Sequence, residues 1–256
     1  HLLIDIGNST VVGAIANDNG EIVSTWRFDT IKNQTTDYYI DNLKSGLCAC
    51  GIEPSDIEKT AISSVVPELN NRFVDAVSKI TGGEPRFFSV IDAERLMDID
   101  VDFPEQVGKD RLADAIAAAE CYGSPTIVID MGTATTVGIV TAQRKFVGGM
   151  IIPGVKTSHR ALCERASQLS EIDKWEAGSI VGRNTKECMQ SGVIFGAACM
   201  IDGVIDRIND MFDSPFTIVA TGGMSSVIVP YCKHDIIVDK HLLLKGIYHA
   251  VIAENK

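Results

Sequence analysis

An apolar run, a polar turn and a second apolar run follow one another near the start of the chain, and the same pattern returns half a chain later. The first copy spans residues 4–13 and the second spans residues 129–138, a constant separation of 125 residues. In each copy the first run contains an aspartate, with a glycine two residues later and short hydroxyl or amide side chains after it. This pattern is typical of a strand, a tight turn and a second strand. The repeat therefore predicts a duplicated domain with equivalent turns in its two halves.

Hydrophobic periodicity predicts the same succession of three strands, a helix, a strand and a helix in both halves. The strands are predicted at 2–6, 11–16, 22–27, 60–65 and 86–90, and then at 126–130, 136–141, 145–150 and 217–220. The helices are predicted at about 36–47, 68–80, 112–121, 156–166, 184–212 and 242–254. We expect two domains, residues 1–122 and residues 123–256. Apolar strands covered by helices indicate an α/β fold, and this succession resembles the duplicated ribonuclease-H-like domains of the actin, Hsp70 and sugar kinase superfamily, with a cleft between them.

The longest predicted helix begins at Asn184 or Thr185, either of which suits an N-cap, and Glu187 is placed for a capping-box contact. Its apolar residues form two stripes. A helix that is apolar on two faces is covered on both, so we expect the core on one side and a partner chain on the other. Gly192 and Gly196, four residues apart, would permit close contact between helices.

Both repeated turns have the composition of a phosphate site. Their glycines let the main chain approach a ligand closely, and short side chains add donors to the peptide N–H groups. The donors are Asn8, Ser9, Thr10, Thr133, Thr135 and Thr136. Asp5 and Asp130 repel a phosphate, so each would act through a cation, either hydrated Mg²⁺ or a monovalent ion. The alternative is two ordinary hairpins whose aspartates satisfy their own turns.

Phosphoryl transfer also needs a group that accepts the proton of the attacking hydroxyl, and residues 108–111 supply a candidate. Asp110 could act as this base, while Arg111 could bind an anionic substrate group through two parallel hydrogen bonds. The position of Asp110 also suits a helix N-cap. The residue types alone leave both roles open.

Charge and composition restrict the class of protein. With 23 Lys and Arg against 34 Asp and Glu, the net charge is −11, which disfavours binding to nucleic acid or to an anionic membrane. No unbroken run of about 18 apolar residues predicts a membrane span. The seven cysteines are odd in number and mostly scattered through apolar helical segments, which indicates reduced thiols and a cytoplasmic protein. Cys48 and Cys50 lack the second pair that a zinc site of this type needs.

Seven short motifs carry a family resemblance. They are Asp-x-Gly-Asn-Ser at Asp5, Ser-Val-Val-Pro at Ser64, Val-Gly-x-Asp-Arg at Val107, Asp-x-Gly-Thr-Ala-Thr-Thr at Asp130, Gly-Gly-x-Ile-x-Pro-Gly at Gly148, Gly-x-Asn-Thr at Gly182 and Ala-Thr-Gly-Gly at Ala220. In this order they resemble the type III pantothenate kinases, also called Bvg accessory factor-like proteins. The resemblance implies phosphorylation of pantothenate by ATP to 4'-phosphopantothenate, the first step of coenzyme A biosynthesis.

The resemblance also implies roles for individual residues. Asp110 would accept the proton of the primary hydroxyl of pantothenate, and Asp130 would hold K⁺ or NH₄⁺. For Asp5, the repulsion between its charge and a phosphate predicts Mg²⁺ held through water. Thr185 would reach pantothenate in the neighbouring subunit of a homodimer. The implied ATP contacts are Asp5, Ile6, Gly7, Asn8, Ser9, Thr10, Val11, Val12 and Thr133. The implied pantothenate contacts are Val101, Gly108, Lys109, Asp110, Arg111 and Thr185.

Three residues depart from the family pattern. Val101 stands where a tyrosine usually lines the pantothenate pocket, Lys109 stands where an apolar residue is common, and Gly138 stands where an aspartate is frequent. The phosphate turns and the candidate base are intact. One alternative is therefore a nucleotide-binding paralogue with weak or no pantothenate kinase activity. Another is a transcriptional accessory protein, against which the acidic charge and the lack of a basic helix argue.

Overall fold

The computed structural model describes residues 1–166, 168–212 and 214–253. The chain forms two compact units. The first unit contains His1–Cys121 and the segment from His241 onward, and the second unit contains Tyr122–Lys240. The second unit is thus one continuous stretch of chain, whereas the first is assembled from two.

The first unit is built on a mixed sheet with β1 at its centre. Its strands are β1 (Leu2–Ile6), β2 (Thr10–Ala16), β3 (Ile22–Asp29), β4 (Thr60–Ser64) and β5 (Arg86–Phe87), and a short strand β6 (Asp98–Ile99) follows. Its helices are α1 (Thr36–Ala49), α2 (Asn70–Thr81), α3 (Val90–Glu94) and α4 (Lys109–Tyr122). The sheet order is β3-β2-β1-β4-β5, with β1 antiparallel to β2 and parallel to β4.

The second unit repeats this topology around β7. Its strands are β7 (Thr126–Met131), β8 (Ala134–Val140), β9 (Lys145–Pro153), β10 (Thr217–Thr221) and β11 (Ile237–Val238). Its helices are α5 (Val155–Arg165), α6 (Thr185–Asn209) and α7 (Ser225–Ile228). These strands follow the order β9-β8-β7-β10-β11, with β7 antiparallel to β8 and parallel to β10. The matching order and directions confirm the predicted duplication of an α/β fold.

The C-terminal segment forms α8 (Leu242–Ile247) and a π-helical turn (Tyr248–Ile252). The predicted domain 123–256 includes this segment, but the structure places it in the first unit. The reason is close packing: a Cβ atom on Gly246 would overlap the main chain of Ala113, and the hydroxyl of Tyr248 donates to the carbonyl oxygen of Asp18 at 2.6 Å. Residue 254, the predicted end of this helix, lies outside the described residues.

Local contacts set the ends of several elements. The N-cap of α1 is Thr35, whose side chain accepts from the N–H of Tyr38. The strand predicted at 86–90 ends at Phe87, because Ser89 opens α3 with a capping box. Asn184 caps α6, since its side chain accepts from the N–H of Glu187 at 3.0 Å. Helix α6 ends at Asn209, three residues before the predicted end near residue 212.

Helix α6 is 25 residues long. Among the described residues it is the one helix whose length and composition would suffice to cross a membrane, a finding that differs from the expectation based on unbroken apolar runs. One of its two apolar stripes, represented by Ile194, Ile201 and Ile205, is buried in the hydrophobic core of the second unit. The predicted burial of this stripe is therefore confirmed.

The indole of Trp26 on β3 is held between two glycines. A Cβ atom on Gly13 of β2 or on Gly46 of α1 would overlap the ring. Trp26 also packs against the hydrophobic core shared by β1, α1 and α2. The two glycines therefore set how closely α1 approaches the sheet.

We expect Gly46→Ala to destabilise the protein by about 2 kcal/mol, because overpacking outweighs the gain of about 1 kcal/mol in helix propensity. Denaturant unfolding followed by circular dichroism would measure the change. The control is Gly203→Ala in α6, where the nearest atom to the new methyl is the end of the flexible Arg207 side chain at 3.4 Å. This control should be neutral or stabilising, and equal effects of the two substitutions would contradict the packing argument.

Candidate active site

The first repeated turn joins β1 to β2. The N–H of Gly7 donates to the carbonyl oxygen of Thr10 at 3.1 Å and closes the turn. Asn8 and Ser9 are exposed at its tip. Ile6 and Val11 on either side are fully buried, so these flanking positions can meet a ligand only through their main chains.

Asp5 is the second-last residue of β1 and is half-buried. It lies in register with Val12 on β2 and with Ser63 on the parallel strand β4. Because successive side chains of a strand point to opposite faces, Asp5 lies on the face opposite to Ile4 and Ile6, which belong to the hydrophobic core. The carboxylate is therefore presented beside the turn and away from that core.

The second repeated turn joins β7 to β8 and closes one residue earlier than the first, since the N–H of Gly132 donates to the carbonyl oxygen of Ala134 at 3.0 Å. Thr133 at the tip is exposed, and Thr136 is half-buried. Thr135 is only 1% exposed, which corrects its inclusion among the phosphate donors. Alternation along β8 turns its hydroxyl into the interior.

Asp130 occupies on β7 the position that Asp5 occupies on β1. It lies in register with Thr136 on β8 and with Thr221 on the parallel strand β10. Gly222, directly after β10, has a φ of 84°, and a Cβ atom there would overlap a carboxylate oxygen of Asp130. The main chain at residue 222 thus lies against this carboxylate.

Gly222 has no predicted role in the site from its sequence alone. One feature of the sequence could have indicated such a role: the Ala-Thr-Gly-Gly motif places two glycines directly after a predicted strand. The contact with Asp130 depends on the pairing of β7 with β10, which joins residues about 90 positions apart. A local pattern does not reveal such a partner.

Asp110 is the second residue of α4, which begins at Lys109, so it does not occupy the N-cap position. One of its carboxylate oxygens, Oδ1, accepts from the N–H of Arg111 at 2.8 Å. A Cβ atom on Gly108 would overlap this oxygen, so the glycine leaves room for the carboxylate. The positive end of the helix dipole also stabilises a negative charge at this place.

The side chain of Arg111 is half-buried. Burial lowers the pKa of its guanidinium from the ordinary value, and the charge of Asp110 opposes this shift. The guanidinium remains protonated at neutral pH. The start of α4 therefore combines a carboxylate that can accept a proton with a cation that can bind an anion.

The three residues that depart from the family pattern lie in different settings. Val101 is half-buried in a bend ahead of a 3-10 turn at Pro104–Gln106. Lys109 is the first residue of α4 and is half-buried. Gly138 lies in the middle of β8, paired with Gly149. It is therefore away from the second turn, and this departure leaves the turn unchanged.

The predicted site residues are divided between the units. The first unit carries residues 5–12, Val101 and residues 108–111, and the second carries Asp130, Thr133 and Thr185. Thr185 is exposed as the first residue of α6.

Within the described residues, neither predicted cation ligand belongs to a cluster of three or more metal-binding side chains. Among the described residues, His1, Asp18 and Glu58 form the group of three whose ligand atoms lie within 4.8 Å of one another. A single carboxylate nevertheless fits Mg²⁺ beside a nucleotide, because Mg²⁺ is usually held by one or two carboxylates together with water and phosphate oxygens. Asp5 and Asp130 each meet that requirement next to a turn.

Solved structures resemble this fold at low sequence identity. A putative Baf family transcriptional activator from Campylobacter jejuni aligns with a TM-score of 0.61 and 18% identity, covering 98% of this chain and 97% of that one. A ROK family glucokinase from Streptomyces griseus aligns with a TM-score of 0.56 and 14% identity, covering 96% of this chain and 98% of that one. These likenesses show the actin, Hsp70 and sugar kinase fold.

Sequence comparison is more specific. The family model of type III pantothenate kinases matches residues 1–207. A type III pantothenate kinase from Finegoldia magna is 36% identical over 251 residues, covering 96% of this chain and 94% of that protein. Another from Dictyoglomus turgidum is 38% identical over 251 residues, covering 97% of each. With the motifs in place on a duplicated fold, the chain belongs to the type III pantothenate kinase family.

Proposed function

We propose that this protein transfers the γ-phosphoryl group of ATP to pantothenate and forms 4'-phosphopantothenate, the first step of coenzyme A biosynthesis. The observation that supports this proposal best is the family match over residues 1–207. The two turns beside Asp5 and Asp130, each between the first two strands of its unit, and the carboxylate and guanidinium at the start of α4 agree with it. Phosphate-binding turns, a base and an anion-binding group suit transfer from ATP to the alcohol of a carboxylic acid.

In this proposal Asp110 accepts the proton of the primary hydroxyl of pantothenate. The N–H of Arg111 holds Oδ1 of the carboxylate at 2.8 Å, which leaves Oδ2 to take the proton. The hydroxyl oxygen bonds to the γ-phosphorus while the bond to the bridging oxygen breaks, and ADP leaves with the electron pair. Arg111 binds the carboxylate of pantothenate through two parallel hydrogen bonds.

We further propose that the first turn, residues 5–12, and Thr133 bind the phosphates of ATP. Asp130 would hold a monovalent cation, K⁺ or NH₄⁺, and Asp5 would hold Mg²⁺ through water. These cations neutralise charge on the transferring phosphoryl group when they are bound. Val101, Gly108 and Lys109 would line the pantothenate site, and the small side chain of Val101 would loosen contacts with the substrate.

The proposed assembly is a cytoplasmic homodimer in which Thr185 reaches pantothenate of the neighbouring subunit. An apolar groove of about 410 Å³ runs along α6, bordered by Leu162, Gly192, Gly196 and Met200. Apart from adjacent residues and the nearby backbone of α6 itself, no atom of the described residues lies within 4 Å of a Cβ atom built on Gly192 or Gly196. This uncovered face of small and apolar residues suits close packing against a second copy of α6.

We expect Asp110→Asn to lower kcat at least about 100-fold, because the amide keeps the shape of the side chain but cannot accept a proton in general base catalysis. ADP release would be measured with pantothenate, Mg²⁺-ATP and K⁺. The matched control is Asp102→Asn, which neutralises an exposed carboxylate of the same segment and should leave kcat unchanged.

Turnover of the Asp110→Asn variant at the wild-type rate would remove Asp110 as the base. Nucleotide binding by the wild type without turnover, even at high pantothenate, would reject the kinase proposal. That result would favour a nucleotide-binding paralogue, with Val101→Tyr as the first substitution to test.

We also expect Gly222→Ala to raise the K⁺ concentration for half-maximal activity about tenfold, because the new methyl group displaces the carboxylate of Asp130. Titration of activity with KCl at constant ionic strength would measure this. The control is Gly223→Ala, since a Cβ atom on Gly223 meets no atom of the described residues within 4 Å. The same K⁺ dependence in both variants would count against Asp130 as the cation ligand.

A further inference from the structure

Thr30, which directly follows β3, makes two hydrogen bonds to the first turn. Its hydroxyl donates to the carbonyl oxygen of Gly7 at 2.7 Å. Its N–H donates to the carbonyl oxygen of Ser9 at 3.1 Å. One residue therefore holds two carbonyl groups of the turn.

Thr157 makes a comparable contact in the second unit, where it lies in the first turn of α5, four residues after the end of β9. Its hydroxyl donates to the carbonyl oxygen of Thr133 at 2.8 Å. The N–H of Gly154 donates to the same oxygen at 3.2 Å. In both units, a threonine after the third strand of the sheet binds the main chain of the phosphate turn.

These contacts determine which polar groups of the turns stay available. The carbonyl oxygens of Gly7, Ser9 and Thr133 are engaged by donors of the protein. In the hydrogen bonds of the described residues, the peptide N–H groups of Asn8, Ser9 and Thr133 do not act as donors. A turn whose carbonyls are held and whose N–H groups are available is an anion-binding arrangement, because successive N–H dipoles attract negative charge.

We propose that Thr30 and Thr157 are positioning residues that hold the two turns in this anion-binding conformation. The inference rests on the proposed function, because it assigns the phosphates of ATP to the turns. Without either hydroxyl, the carbonyl group it holds can rotate toward the ligand, where its oxygen would repel a phosphate. The loss should therefore fall on the phosphate part of the nucleotide.

The test compares Thr30→Val, which has nearly the same shape and lacks the hydroxyl, with Thr30→Ser, which keeps it. Calorimetric titration with Mg²⁺-AMPPNP should show about tenfold weaker binding for Thr30→Val, as expected for loss of one part-buried hydrogen bond. Thr30→Ser should bind like the wild type. Affinity for adenosine, which has no phosphate, should be the same in all variants. Thr157→Val and Thr157→Ser should behave in the same way.

The control is Thr25→Val on β3, an exposed threonine that is expected to leave nucleotide binding unchanged. Activity assays should show a raised KM for ATP in Thr30→Val with an unchanged KM for pantothenate. A purely structural role would instead lower thermal stability and weaken AMPPNP and adenosine alike. That outcome, or wild-type affinity of both valine variants for AMPPNP, would overturn the inference.

Failure of this inference is distinguishable from failure of the proposed function. Pantothenate turnover in the wild type, together with unaltered nucleotide binding in the valine variants, rejects only the role of the threonines. Absence of turnover in the wild type rejects the kinase proposal, while the binding measurements still decide whether the threonines position the turns.

Discussion

The pairing of the central strand with a parallel neighbour is the interaction on which both halves of this structure depend. It sets Asp5 beside Ser63 in the first unit and Asp130 beside Thr221 in the second. The same register carries the chain after β10 onto the carboxylate of Asp130. A shift of either strand by one residue in its register would turn its aspartate toward the core. The hydrophobic alternation of β1 and β7 therefore also determines the face on which these aspartates lie.

An acidic protein that binds ATP must create attraction locally, because its general field repels the nucleotide. The net charge of −11 makes this constraint strong. In the proposed function, the main-chain dipoles of the exposed turns that follow Asp5 and Asp130 attract the nucleotide, and Arg111 at the start of α4 attracts the carboxylate of pantothenate. The short range of such groups implies that recognition depends on geometry more than on steering from a distance.

The sequence predicted the parts of the fold that depend on neighbouring residues. The strands on either side of the two repeated turns were predicted correctly, because their apolar runs are long and end in glycine-containing turns. The start of α6 was predicted correctly because Asn184 is a good N-cap. The predicted placement of the C-terminal segment in the second domain was wrong. Its observed placement depends on the fit of Gly246 against Ala113, two residues that lie far apart in the sequence. The turns were predicted as phosphate sites because their composition is a local signal. The roles of Gly222, Thr30 and Thr157 were not predicted, because each depends on a contact with a residue distant in the sequence.

The discontinuous first unit has a consequence for synthesis on the ribosome. The chain emerges from its N-terminus, and domains generally fold as units as they appear. The whole of Tyr122–Lys240 is made before the segment from His241 that belongs to the first unit. The half that begins first is therefore completed last, and until then the surface that later receives Gly246 and Tyr248 is open to water and to chaperones.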